Sequence, residues 1–477
     1  MISDVQVSET LVVVPNQATP RKDMWLSCLD LLQVSSRYTP TVYLYRSAAA
    51  AAGVLFDVAR LKESMARALV PFYPLAGRLG VDGDGRFVIK CNAEGALLVV
   101  ARSNHTMDDF TSDPRPSPEL KALFVPHVDE QPASIMLAVQ VTFLKCGAVA
   151  LGTMLHHVAG DAIAAFHFFQ TWSTFSREGH GGATVGAAAP CHDRTLLLAR
   201  SSPPSLCPDA MSVLCLNRGL DQPSGRPVIV TQAFTLSGDR VAALKRACGA
   251  DVGISTFCAV SALVWQCVCV AGRLPPDADT RLTLPASIRR SIRPPLPDGF
   301  FGNAIIWLGA CGVVRDIVAE PLAATASRIS SAVRRMDDKM VRTAIDYFEL
   351  SVKDGRPAPS GSCFPETDLR VVSWLGMPVY DADFGWGKPE LFFRAESERP
   401  GLVYLMNDGG DGVRVVVCTE EATIRDLGGL LNAKMNLTIM TQTCMLQEVT
   451  SAAGIHQSRR NKARSDLEAG APRPTGR

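Results

Sequence analysis

Leu151-Gly-Thr-Met-Leu-His156-His157-Val-Ala-Gly-Asp161 decides the reading, together with the run Ala162-Ile-Ala-Ala-Phe-His-Phe-Phe-Gln-Thr-Trp172 that follows it. An apolar run ends in two histidines, a carboxylate stands four residues after His157, and a long apolar helical pattern begins. The pattern predicts a buried strand, a sharp strand-to-helix junction at Gly152, Ala159 and Gly160, and a helix from Asp161 to about Ser176. A histidine at such a junction sits on rigid elements and can reach into a cleft. Asp161 falls near a helix start, where the macrodipole favours negative charge. On spacing alone, a histidine with an aspartate at i+4 is more often a helix-end ion pair than a catalytic unit. Adjacent histidines on a strand end point in different directions. With no HExxH, no CxxC and no third ligand nearby, no metal site is expected.

At 477 residues the chain is too long for one core, and two domains are expected. The composition, 47% hydrophobic and 20% charged, suits a globular protein, and the net charge of +1 gives no global field for nucleic acid or membrane. No apolar stretch reaches the roughly 20 residues of a bilayer span, and Met1 to Thr10 lacks a signal peptide's basic start and apolar centre. Fourteen cysteines without framework spacing read as reduced thiols in a cytoplasmic protein.

Along the chain, Val5 to Val14 and Val42 to Tyr45 read as strands. Asp57 to Leu69 has apolar residues at helical spacing and is closed by Pro71. Asp82-Gly-Asp-Gly85 is a turn without the EF-hand pattern, so calcium is not expected. Arg86–Cys91 and Ala96–Ala101 are expected to pair with each other. Ile135–Phe143 and Val149–Leu155 are strands, the second delivering His157. From Gly179 to Pro227 the composition shifts to Gly, Ala, Ser and Pro, which predicts a crossover between domains. Beyond it come a strand at Val228–Leu236, helices to Cys248 and over Ser255–Val270, a strand at Thr280–Pro285, helical patterns over residues 319–352 and a strand at Arg370–Trp374. Leu402–Met406 and Val413–Cys418 read as a hairpin, and a helix from Thr423 to about Met435 closes the fold. The expected division is 1–180, a linker over 181–226, a second domain over 227–445, and a disordered tail over 452–477.

A second motif, Asp383-Phe-Gly385-Trp-Gly387, lies far downstream. In this order HxxxD and DFGWG resemble the BAHD family of plant acyl-CoA-dependent acyltransferases. Tyr38-Thr-Pro-Thr-Val-Tyr-Leu-Tyr45, Leu69-Val-Pro-Phe-Tyr-Pro-Leu-Ala-Gly-Arg78, Asp193-Arg-Thr-Leu-Leu and Pro294-Pro-Leu-Pro-Asp-Gly-Phe-Phe-Gly-Asn303 are similar to further segments of that family. The resemblance covers roughly residues 5 to 435. The DFG triplet is not that of a kinase, since no HRD loop and no Gly-rich phosphate loop accompanies it.

The resemblance implies a chloramphenicol-acetyltransferase-like α/β fold, with two similar-sized domains of mixed sheet flanked by helices and joined by a long crossover loop. It implies a CoA thioester as co-substrate, with no resident cofactor. It assigns general-base catalysis to His157, in direct attack on the thioester without an acyl-enzyme. Imidazole suits that role because its ordinary pKa, about 6.5, lies near working pH. Asp161 is expected to turn away from substrate and pair with Arg289. Asp383, Gly385 and Gly387 are expected to support the architecture away from the acyl centre. Trp374 corresponds to a tryptophan associated with the developing oxyanion in hydroxycinnamoyltransferases. Those enzymes carry Thr two residues earlier, and this chain carries Val372.

The nearest resemblance is to hydroxycinnamoyltransferases of the shikimate/quinate type and to grass amine N-acyltransferases. Shikimate-type members hold the acceptor carboxylate with an arginine shortly before the Trp374 strand; here none falls at the expected place near Pro359, and Arg356 is close enough that a small shift of alignment restores the match. Glu366 and Asp368 stand in that region instead and would attract a protonated amine. Thr39, Thr41 and Tyr43 are expected along the same pocket. The expectation is therefore transfer of a hydroxycinnamoyl or benzoyl group to a tryptamine- or agmatine-like amine by a monomer. The alternatives are O-acylation of shikimate, quinate or another alcohol, a non-catalytic acyl-CoA binder, and a peptide-synthetase-like condensation domain. DFGWG and the lack of carrier domains disfavour the last.

Overall fold

The computed structural model describes residues 5–36, 38–46, 56–111, 115–128, 134–178, 189–201, 228–249, 253–353, 367–396 and 400–438. Two mixed six-stranded sheets dominate. In the first, the order is Val5–Val13, Ala96–Ser103, Leu137–Leu144, Val149–His156, Tyr38–Tyr45 and Leu391–Arg394. In the second it is Ile305–Val313, Asp279–Ser287, Leu369–Ser373, Leu402–Asn407, Val413–Glu420 and Ile229–Leu236. Each sheet mixes parallel and antiparallel neighbours, and helices flank both.

The strand ending at His156 is buried along its whole length. It lies between Leu137–Leu144 and Tyr38–Tyr45, which explains the unbroken apolar run in the sequence. The helix Ala162–Glu178 follows and packs on the helix Val58–Ala68. Trp172 joins them through its indole N–H, 3.2 Å from the carbonyl of Leu61 and 3.1 Å from Ser64 Oγ.

Around the second sheet, period-2 alternation sorts side chains between two cores. Val403 and Leu405 face a core shared with the helices Thr256–Ala271, Leu322–Arg334 and Asp338–Lys353. Leu402, Tyr404 and Met406 face the other way, into the core that holds Trp172, Phe384 and Trp386. The second sheet therefore seals the open side of the first body, apart from the cavity described below.

Two expectations change. Phe87–Lys90 pairs with Arg78–Val81 on one edge and Asp23–Trp25 on the other, in a small three-stranded sheet. With both edges taken it has none for Ala96–Ser103, which pairs with Val5–Val13 and Leu137–Leu144 instead. Leu391–Arg394 belongs by position to the second half, yet it pairs with Tyr38–Tyr45 at the edge of the first sheet. The expected hairpin, Leu402–Asn407 with Val413–Glu420, is present, as is a closing helix over residues 421–438. The tail and most of the expected linker lie outside the described residues. Within them, no helix is long and apolar enough to cross a membrane.

Gly152, expected at the bend before the helix, stands instead in the middle of the strand that leads to His157. A Cβ there would overlap the backbone carbonyl of Phe124, which crosses this face because Gln140 Nε2 holds the neighbouring Leu123 carbonyl at 2.9 Å. Gly152→Ala is expected to destabilise the protein by about 3 kcal/mol through overpacking against backbone. An unchanged Tm in thermal unfolding would contradict this packing.

Candidate active site

A cavity of about 500 Å³ lies between the sheets. One wall is the first sheet, with Thr39, Thr41, Tyr43, Thr153 and Leu155. The opposite wall is the second sheet, with Pro285, Trp307, Val372, Trp374 and Tyr404. The first turns of the helix Ala162–Glu178 contribute Phe166 and Phe169.

His156 and His157 take separate paths. His156 is buried against the Tyr38 ring, at 5.0 Å between centroids. His157 opens a short turn, His157–Ala159, and its half-buried ring lines the cavity. Its Nδ1 lies 3.2 Å from Asn303 Oδ1. Burial holds its pKa below the usual 6.5, against the raising influence of its own backbone carbonyl, Asp161 and Asn303. Arg394 adds a smaller downward push. The imidazole is thus kept neutral, the form that accepts a proton.

Asp161 turns toward the protein interior. Arg289 grips it in a two-pronged pair, Nη1–Oδ2 at 2.7 Å and Nη2–Oδ1 at 2.9 Å. The carboxylate also accepts from the backbone N–H groups of Ala164 and Ala304, at 3.2 and 3.0 Å. Arg289 donates further to the carbonyls of Phe300 and Gly302. These bonds fasten the turn after His157 to residues 300–304 of the second half.

Trp374 lies at the end of Leu369–Ser373 and lines the cavity. Its ring rests among Phe166, Phe392 and Tyr404, at 5.9, 5.8 and 5.4 Å between centroids. Among the described residues no side chain or carbonyl takes up its indole N–H. DFGWG lies outside the cavity lining. Asp383 Oδ1 accepts from the backbone N–H groups of Gly385 and Gly387 at 2.8 and 3.0 Å. Both glycines have φ near +95°, a region that L side chains avoid. The resulting bend buries Phe384 and Trp386 against Trp172 and Tyr45.

Of the residues expected to meet the acceptor, Thr39, Thr41 and Tyr43 line the cavity. Thr41 and Thr153 share a hydrogen bond of 2.6 Å between hydroxyls. Burial pushes the Tyr43 phenol well above its ordinary pKa. Asp368 is corrected: it is buried outside the cavity lining, with Arg281 at 2.6 Å across an ion pair. A buried carboxylate needs such a partner, and the adjoining strand supplies it. Glu366 lies outside the described residues.

The sequence reading missed several groups. Arg394, Arg370 and Glu396 bring charge to the cavity wall. The Arg394 guanidinium lies over Tyr404, 4.5 Å from the ring centroid, and 5.8 Å from that of Trp374. Asn303, Asp30 and Arg194 sit behind His157. The only local signal among these is Ser27-x-x-Asp30, a helix-capping spacing that the structure realises as a capping box.

Two mixed sheets facing each other across a cavity, with a histidine on the seam, define a two-domain acyltransferase of chloramphenicol-acetyltransferase-like fold. The Transferase family matches residues 3–428, and the chain belongs to it, among the BAHD acyl-CoA-dependent acyltransferases. Putrescine hydroxycinnamoyltransferase 1 of Oryza sativa subsp. japonica is 42% identical, over 88% of this chain and 97% of its own. Shikimate O-hydroxycinnamoyltransferase of Nicotiana tabacum is 34% identical, over 87% and 97%. The crystal structure of vinorine synthase superposes with a TM-score of 0.69 at 21% identity, over 90% of this chain and 98% of that one, a likeness of fold.

Asp161→Asn leaves Arg289 with a neutral partner in a buried place. It is expected to cost about 3 kcal/mol of stability and to lower kcat by loosening the His157 turn. An intact structure with an unchanged rate would contradict this assignment.

Proposed function

We propose that this protein transfers a planar aromatic acyl group, of hydroxycinnamoyl or benzoyl type, from its CoA thioester to a primary amine. The observation that carries the reading is the His157 ring, lining the cavity between the sheets with its Nδ1 occupied. The other ring nitrogen, Nε2, is the base. It takes the proton from the attacking amine as nitrogen bonds to the thioester carbonyl carbon. The tetrahedral intermediate then collapses, the carbon–sulfur bond breaks, and the imidazolium returns its proton to the departing thiolate of CoA.

The oxyanion needs a donor placed in advance in a dry site. Trp374 is the candidate, since its indole N–H is a donor only and the ring is held by three aromatic neighbours. The cavity suits a flat acyl group because Tyr43, Phe166, Phe169, Trp374 and Tyr404 line it. Amine preference is supported by the putrescine-directed relative and by Glu396, a carboxylate on the wall. Lys121 already answers part of that charge, at 2.6 Å. O-acylation of shikimate or quinate is the second reading. Arg370 and Arg394 on the cavity wall favour it, because a guanidinium pairs with a carboxylate in two-pronged fashion.

The purified protein, given p-coumaroyl-CoA, is expected to release free CoA with putrescine, agmatine or tryptamine at a higher kcat/KM than with shikimate. Turnover of shikimate alone would reject the amine reading. His157→Ala is expected to lower kcat by about 100-fold or more. The base works unprotonated, so a lowered pKa keeps it active into mild acid. The acid limb of kcat/KM for p-coumaroyl-CoA, measured at a saturating concentration of the unprotonated amine, is therefore expected to fall to half below pH 6.5; a midpoint above that value would contradict the burial of the ring.

A further inference from the structure

Behind His157 lies a buried polar cluster. Asp30 is fully buried in the short helix Cys28–Leu31. Its Oδ2 accepts from Ser27 N and Ser27 Oγ, at 3.0 and 2.7 Å, and from Arg194 Nε, at 3.0 Å. Its Oδ1 accepts from the backbone N–H of Asn303 and from Asn303 Nδ2, both at 2.9 Å. Arg194 is itself buried and also donates to the carbonyl of Ala159, at 3.0 Å, in the turn of His157. Three segments distant in sequence thus meet on one carboxylate.

This cluster leaves Asn303 a single orientation. Its Nδ2 has two neighbours, Asp30 Oδ1 and the backbone carbonyl of His157 at 2.8 Å. Both are acceptors. Rotating the amide by 180° would set its oxygen against two oxygens in a buried site, leaving the amide oxygen and the His157 carbonyl without a donor here, while Asp30 Oδ1 would keep only the backbone N–H of Asn303. The amide oxygen therefore points at His157 Nδ1. An amide oxygen only accepts, so Nδ1 must carry the hydrogen. In neutral imidazole the other nitrogen is then bare.

We infer that Asn303, oriented by the Asp30–Arg194 pair, selects the Nδ1–H tautomer of His157 and so dedicates Nε2 to proton abstraction. Asn303 is a positioning residue and touches no reacting atom. It is neutral, unlike the carboxylate that holds the histidine of a serine protease triad. The imidazolium formed during the reaction is met by an amide dipole, with the full charge of Asp30 one residue further away. That arrangement steadies the ring without trapping the proton, which must go on to the thiolate. Asp161 cannot serve in this role, since both its oxygens are held by Arg289 and backbone N–H groups.

This inference rests on His157 being the base, and its test separates the two claims. The protein labelled with 15N at its eight histidines is measured by side-chain NMR at pH 8, with His157 assigned from the loss of its signals in His157→Gln. The wild type is expected to show Nδ1 as the protonated nitrogen and Nε2 as the unprotonated one. A resting Nε2–H tautomer would overturn the inference, whether or not His157→Gln abolishes turnover. Asn303→Ala is expected to mix the tautomers and to lower kcat about 10- to 100-fold, with KM for p-coumaroyl-CoA changed less than about threefold. A pure Nδ1–H signal with wild-type kcat in Asn303→Ala would equally reject it. Loss of activity in His157→Gln alone bears on the base, not on Asn303. Should Asn303→Ala fail to fold, the near-isosteric Asn303→Leu, which also removes the acceptor, is judged by the same spectrum and the same change in kcat.

Discussion

The pair of Asp161 with Arg289 is the constraint on which the site depends. It spans the two halves of the chain, is buried, and is two-pronged. Such pairs contribute little net stability compared with an apolar replacement, because desolvation offsets most of the attraction. What this one supplies is position. A guanidinium fork and a carboxylate fit each other in one geometry, so the turn between His157 and Asp161 has one resting place against residues 300–304. Asn303 and Ala304, neighbours in that segment, then hold the His157 side and the Asp161 side respectively.

A second tie runs the other way. After Trp374 the chain leaves the second sheet, bends through Asp383–Gly387, and enters the first sheet as Leu391–Arg394. One continuous segment therefore supplies a donor candidate on one wall and a strand on the other. The bend needs glycine at two positive-φ positions and buries the rings of Phe384 and Trp386 beside them. Its place is outside the cavity lining, in the stretch of chain between Trp374 and the strand that ends in Arg394.

A CoA thioester is already activated, so the site needs a base, a donor for the oxyanion and a dry enclosure. The His157 ring, the Trp374 indole and the cavity between the sheets are the groups proposed to meet these demands. Acceptor choice is a separate matter of charge on the cavity wall. Glu396 is drawn partly toward Lys121, and Arg394 rests on two aromatic faces. On the proposed reading, their balance, together with Arg370, would set whether an ammonium or a carboxylate is the better tail for the incoming nucleophile.

The sequence by itself determined the local elements and the family. The apolar run before His157, the helical spacing after Asp161, and the hairpin from Leu402 to Glu420 were legible because burial and turn chemistry act over a few residues. The partnership of Asp161 with Arg289 was expected only through the resemblance to a family. Only the tertiary structure decided what lies near what. It moved Asp368 out of the pocket, because a partner on an adjoining strand neutralises it. It set Leu391–Arg394 at the edge of the first sheet, and it brought Asp30, Arg194 and Asn303 together behind one imidazole. The physical reason is common to all three. A lone polar residue carries no mark of its partner, and a buried charge or amide is satisfied by whichever donor or acceptor the folded chain brings within about 3 Å.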